Sequence, residues 1–326
     1  MTPALLIAVP MVLFAGAVTA QMTSSAPTTF PTRPIRLVLP FAPGGSTDTL
    51  VRILQPRLMQ ALGQTIVVDN RPGGANNVAT EIVANAAPDG YTLLVASPNF
   101  ATNKSLYAKL SYDPLRNFVP VTHLGIGPYF MSLHAGVPAN TVSELVALAK
   151  AKPRSLSYAS PGVGSASHLA MELFRMRAGV DMVHVPYKGG GPAGLAVLAG
   201  DVQLFLGTFA SSIANVKAGK LKAIAITSTK RTSLAPDVPT LHESGFPGFD
   251  ANTWDCLVAP AGTPKAVVAR LNAETVKILR LPEVRELVHK MGYEATGTTP
   301  EELDRFLRKE MELWAKVIRS ANIRLD

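Results

Sequence analysis

Ser165, His168 and Asp48 have the chemistry of a nucleophile, a base and an orienting acid. Their spacing argues against that use. Ser165 and His168 lie one helical turn apart, a poor geometry for attack, and Ser165 is not in a Gly-x-Ser-x-Gly elbow. The same residues fall in two glycine-rich turns that suit a different chemistry. One is Pro43-Gly44-Gly45-Ser46-Thr47-Asp48; the other is Ser160-Pro161-Gly162-Val163-Gly164-Ser165-Ala166-Ser167-His168. Each follows a short strand-like run and precedes apolar residues at helical spacing. A strand, a glycine turn and a helix start present free backbone N–H groups at the positive end of a helix dipole, a ready site for an anion. Either turn alone reads equally as an ordinary β-α connection. The pair implies two jaws closing on one carboxylate.

The elements that would position these turns alternate along the chain. The short β-branched and leucine run that opens at Ile35 reads as a buried strand, and Ser46 and Thr47 are placed to cap the helix that follows, which stops at Gly63. Strands at Ile66–Val68 and Tyr91–Ala96 bracket a second glycine turn and helix, giving a parallel sheet with polar residues at its C-terminal edge. Val119-Pro120-Val121 and Tyr129-Phe130-Met131 read as separate extended segments, interrupted by Gly125, Gly127 and Pro128, at the first crossing between lobes. A second β/α lobe follows, with a third glycine turn at Tyr187-Lys188-Gly189-Gly190-Gly191-Pro192. Trp254–Val258 reads as the return strand, and the C-terminal helices as packing back on the first lobe. The expected division is residues 31–126 and 252–326 for lobe 1, and 127–251 for lobe 2.

Bulk properties narrow the class. With 326 residues and 47% apolar content the chain can bury two cores. Its 31 basic and 23 acidic residues leave +8, but the charges are scattered, without the basic patch and interleaved aromatics of a nucleic-acid binder. Cys256 is the only cysteine, so no internal disulfide is possible, and it reads as a small buried hydrophobe. No dinucleotide fingerprint and no Gly-Lys-Ser/Thr loop is present, so no cofactor is expected. Residues 1–20 have the apolar core and Val18-Thr19-Ala20 end of a secretory signal, although no Lys or Arg precedes the apolar stretch.

Pro43-Gly44-Gly45-x-x-Asp48, Asn70-Arg71-Pro72-Gly73, Pro88-Asp89-Gly90-Tyr91-Thr92-Leu93-Leu94, Tyr112-Asp113-Pro114, Gly162-x-Gly164-Ser165-x-x-His168-Leu169, Tyr187-Lys188-Gly189-Gly190-Gly191-Pro192-Ala193 and Ala259-Pro260-Ala261-Gly262-Thr263-Pro264 together resemble the Bug-type solute receptors, the extracytoplasmic receptors of tripartite tricarboxylate transporters. The resemblance runs in order over essentially the whole mature chain. It implies an α/β, two-lobed periplasmic binding protein fold (type II), each lobe a mixed sheet flanked by helices, joined by crossing hinge strands. It implies a non-enzymatic, monomeric periplasmic receptor that takes a small organic carboxylate and delivers it to transporter subunits in the membrane. Mapped residue by residue, it puts Phe41, Gly44, Gly45, Ser46 and Asp48 on one jaw and Ser160, Gly164, Ser165 and His168 on the other. Ser97, Asn99, Tyr187, Lys188 and Thr208 join them by position. Relatives often carry Asp where this chain has Thr208. From the residues themselves, Asp48 and His168 each read as a structural tie or a ligand contact, and Lys188 as a cleft cation or a solvated turn residue. Two other functions stay open at this point: a sensor presenting its ligand to a signalling partner, and a Ser/His hydrolase.

Overall fold

A computed structural model describes residues 30–325; the signal-like segment at 1–20 lies outside them. Lobe 1 is built on β1 (Ile35–Leu39), β2 (Ile66–Asn70) and β3 (Thr92–Ala96), all parallel, with Leu37 opposite Val68 on one side and Leu93 on the other. Apart from Arg36, which pairs with Asp69 of β2, this central strand is apolar because both of its faces are covered. On one face lies α1 (Ser46–Leu62), whose Leu50, Val51, Leu54 and Leu58 point inward against Val268 and Leu271 of α8 (Lys265–Leu279) and Val284 and Val288 of α9 (Pro282–Lys290). On the other lie α2 (Asn77–Ala84) and α3 (Pro98–Leu106), around Ala79, Val83 and Phe100. Gly63 ends α1 at φ 66°, a left-handed cap that suits glycine.

The first crossing is one unbroken 17-residue strand, β4 (Phe118–His134), where the sequence reads as two segments. Gly125 and Gly127 do not interrupt it. They leave room for the chain laid across it: a Cβ on Gly127 would sit 2.8 Å from the Gly292 carbonyl. Phe118 to Pro128 pair antiparallel with β9 (Asn252–Pro260), and β10 (Glu294–Ala295) joins at Gly125 and Ile126. From Tyr129 onward the same strand pairs with β7 (Leu204–Thr208) and β8 (Leu221–Ile226). The partner change falls between Pro128, opposite Asn252, and Tyr129, opposite Thr208. Thr227 ties the crossing together: its hydroxyl accepts from the Tyr129 N–H at 2.8 Å, and its carbonyl accepts from the Ala251 N–H.

Lobe 2 adds α4 (Val142–Ala151), then β5 (Ser157–Ser160), α5 (Ala166–Ala178), β6 (Val183–Pro186), α6 (Gly190–Ala199) and α7 (Phe209–Lys217). Strands β6, β5 and β7 are parallel neighbours. Tyr158, Leu169, Phe174 and Leu204 are among the residues that fill its main core.

The last helix contributes to two cores. α10 (Pro300–Ser320) opens with a complete capping box from Thr299 and Glu302 and then straddles both lobes. Leu303 and Leu307 join the lobe 1 core with Phe100, Phe118 and Trp254. Trp314, Val317 and Ile318 join the lobe 2 core with Phe174 and Phe246. Between them Glu310 accepts from both indole N–H groups, Trp254 at 2.9 Å and Trp314 at 3.0 Å. Its 3.6-residue apolar stripe is visible in the sequence, but the stripe does not say that its two halves meet different cores.

Candidate functional site

The pairing directions decide where the glycine turns go. β3 is antiparallel to β9 and β9 to β4, so β1, β2 and β3 run the same way as β4, toward lobe 2. β7 is antiparallel to β4, so β5, β6 and β7 run back toward lobe 1. The C-terminal edges of the two parallel sets therefore face each other across the point where β4 changes partners. Open α/β sheets bind ligands at such edges.

On lobe 1 the β1–α1 turn is held from within. Asp48 is 2% exposed, and its carboxylate accepts from the Gly44 N–H at 2.9 Å, Arg52 Nε at 2.8 Å and Asn70 Nδ2 at 3.1 Å. Burial works to raise its pKa, but these donors win and hold the carboxyl below its usual range. Asn70 also donates to the Phe41 carbonyl, so β2 braces the turn from the side. The cap itself is Gly45, not Ser46 or Thr47, and no side chain caps the helix. Ser46, Thr47 and Asp48 thus begin α1 with first-turn N–H groups that have no intrahelical acceptor. Ala42 to Gly45 are exposed, and a Cβ on Gly44 would meet nothing within 4 Å. Ser97 is turned to another task, accepting from Asn76 Nδ2 at 2.8 Å, and the Asn99 carbonyl takes the Thr102 hydroxyl.

On lobe 2 the β5–α5 turn is held by neutral groups. Ser165 caps α5, accepting from the His168 N–H and donating to the Gly162 carbonyl at 2.8 Å. His168 lies beneath, 4% exposed, its Nδ1 accepting from the Gly164 N–H at 3.0 Å, which places the ring proton on Nε2. Its ring stacks on His184 with centroids 3.8 Å apart, and Tyr158 lies nearly parallel to both rings, 4.9 Å from His184 and 6.2 Å from His168. Burial, with His184 and Arg175 nearby, pushes His168 down to about 3; burial also pushes His184 down to about 4. Both are neutral at physiological pH. Glu172 accepts from Tyr158 and from Arg175 at 2.6 Å. Ser160 shares its hydroxyl between Gly162 and His184. Gly164 packs against Leu106 and Leu325 instead of opening on the cleft: a Cβ there would lie 2.9 Å from each.

The edge facing lobe 1 is thus left to other residues. The Tyr187 N–H bonds the Ser160 carbonyl, Lys188 is exposed with no ion pair among the described residues, and Cβ atoms on Gly189, Gly190 and Gly191 would meet open space. Thr208 begins α7 without capping it. Sequence reasoning missed Asn70, His184, Glu172 and Tyr293, whose roles depend on contacts distant along the chain. It also missed Asp255, although an acid inside the apolar run Trp254-Asp255-Cys256-Leu257-Val258 was a usable signal.

The lobes touch at the C-terminal end of α9. Gly292 meets Phe209 so closely that a Cβ would lie 2.3 Å from the Phe209 Cβ, and Ser233 Oγ sits 3.0 Å from His289 Nε2. Two α/β lobes, two crossing strands and opposed helix N-termini define a two-lobed solute-binding protein. The comparisons give the family. The model for the tripartite tricarboxylate transporter family receptor matches residues 50–323. BugT of Bordetella pertussis is 35% identical over 91% of this chain and 92% of its own. A UPF0065 protein from the tcbD-tcbE intergenic region of a Pseudomonas species is 37% identical over 94% and 93%. Among solved structures, R. palustris Rpa4515 with adipate superposes with a TM-score of 0.83 at 34% identity, covering 90% of this chain and 99% of that one. MatC of Rhodopseudomonas palustris with bound malate gives 0.78 at 33%, covering 89% and 100%. This chain belongs to the tripartite tricarboxylate transporter receptor family, whose members are periplasmic solute receptors working with membrane transporters, not enzymes.

Proposed function

We propose that the chain captures a small organic carboxylate between the facing strand edges and passes it to a membrane transporter of the tripartite type. The observation that carries this reading is the bare first turn of α1, uncapped and open at Gly44 and Gly45, aimed along the strand direction at the other lobe's loops. Phe41, Gly44, Gly45 and Ser46 form the lobe 1 jaw, with Asn99 at its side. Tyr187, Lys188 and Thr208 face them. Asp48, Ser97, Ser160, Gly164, Ser165 and His168 hold the loops in shape, because their polar groups or packing faces are already engaged. Neutral N–H donors grip a carboxylate through charge-assisted bonds of roughly 1.5–3 kcal/mol each without burying an ion pair. Closure about residues 127–129 and 251–252 then sandwiches the anion. The protein acts as a monomer exported by its N-terminal segment.

The test is a melting-temperature panel of organic acids that includes adipate and malate, the ligands of the two R. palustris relatives. A binding acid raises the melting point in proportion to the logarithm of its concentration. A panel without any shift would sink the reading. Thr208→Asp adds a negative charge to the facing edge and is expected to shift preference away from dicarboxylates.

A further inference from the structure

One carboxyl group lies under the first turn of α1 with no cation among the described residues to balance it. Asp255 stands on β9, 1% exposed, and its Oδ1 accepts from the Thr47 hydroxyl at 2.7 Å. Its Oδ2 is buried without any hydrogen-bond partner. The titratable groups around it are Cys256 beside it on β9, Tyr129 on β4 and Tyr293 ahead of β10; Asp48 follows Thr47 on α1. None is a cation, and Asp48 is already matched by Arg52. Tyr293 reaches toward the same place, its hydroxyl 3.4 Å from Ser46 Oγ and 3.3 Å from Thr253 Oγ1.

A buried carboxylate with one bare oxygen is costly unless it takes a proton. Burial pushes Asp255 up to about 7, while the Thr47 hydroxyl pulls the other way. Near neutral pH the group is divided between its charged and uncharged forms. Thr47 belongs to both sides of this arrangement. Its backbone N–H is one of the free donors of the α1 terminus, and its hydroxyl is bound to Asp255.

We propose that binding of a carboxylate at the first turn of α1 is accompanied by uptake of one proton on Asp255, which acts through Thr47 as a positioning residue for the anion site. The proton comes from solvent and bonds to Oδ2, while Oδ1 keeps its bond from Thr47. Two negative charges on either side of one helix terminus repel in a poorly solvated setting. Protonation removes one of them and leaves the positive helix end to the ligand.

This inference rests on the carboxylate reading, and the test separates the two. Adipate and malate are titrated into the protein by calorimetry at about pH 7.5, in phosphate and in Tris, whose ionisation enthalpies differ. The expected result is a binding enthalpy that differs between buffers by a sizeable fraction of the difference in their ionisation enthalpies, the signature of uptake of part of one proton, with affinity falling by up to about tenfold per pH unit above pH 7. Both effects should vanish in Asp255→Asn. Binding with equal enthalpies in the two buffers would overturn the proposal and leave the carboxylate reading intact, as would proton uptake that persists in Asp255→Asn. If no acid of the panel binds, both fall. Thr47→Val guards against a misfolded Asp255→Asn. It keeps the carboxyl and removes the bond that restrains its proton affinity, so the pH of maximal uptake should move upward. A purely structural Asp255 would leave that pH unmoved.

Discussion

In the lobe 1 turn the residue under the loop is an ionised acid, Asp48, matched by Arg52, Asn70 and the Gly44 N–H. In the lobe 2 turn the same place is taken by His168, uncharged, stacked on His184 and holding the Gly164 N–H. Both devices reach back four residues to fix a glycine amide. The first spends no helix N–H on a cap, whereas the second gives one to Ser165. One jaw is therefore a bare donor set on a buried, charged base. The other is a rigid wall whose rigidity depends on neutral rings staying neutral.

The difference can be broken first at its buried side. His168→Ala removes a packed ring and orphans the Gly164 amide, and should destabilise the fold by about 3 kcal/mol in denaturant unfolding. Gly292→Ala is next, acting on closure and not on either turn. At φ +84° and against Phe209 it should cost about 2 kcal/mol and enlarge the ligand-bound radius of gyration in scattering. Asp48→Ala should weaken carboxylate binding by about tenfold in calorimetry and cost about 1.5 kcal/mol in unfolding, since it leaves the Gly44 N–H and Asn70 Nδ2 without this acceptor.

Acid should separate the jaws. His168 and His184 have folded pKa values below the ordinary 6.5, so their contribution is complete above about pH 6.5 and is lost as pH falls toward 4. Asp48 is also depressed, from 3.8, so its contribution survives until pH falls below that. As pH falls from 6.5 to 4.5, hydrogen-exchange protection factors, corrected for the intrinsic rate, should drop around 158–168 before they do around 41–48. The smallest effect is expected from Ser165→Ala, about 1 kcal/mol of helix capping, with affinity nearly unchanged.

Much of this was legible in the sequence, and for local reasons. Apolar runs, turn glycines and the Thr299 capping box are short-range signals, and they located β1, α1, β3 and the start of α10. The jaws were legible as turns. What each side chain does within them was not, because His184, Asn70 and Asp255 reach their partners across 24, 22 and 208 positions of sequence. The capping expectation at Ser46 and Thr47 failed for a related reason: Thr47 has a buried acid to bond instead. Gly125 and Gly127 read as strand breakers because the chain that needs the space above them lies far along the sequence.

The placement of α10 has a consequence for the order of events during synthesis. The middle of the chain supplies most of lobe 2, yet Trp314, Val317, Ile318 and Ile323 of its core come from the far end. Lobe 1 likewise waits for Leu303 and Leu307. Neither interior can be sealed until the last helix has left the ribosome. Completion of both interiors thus falls at the very end of synthesis, as contacts between distant parts of the chain require.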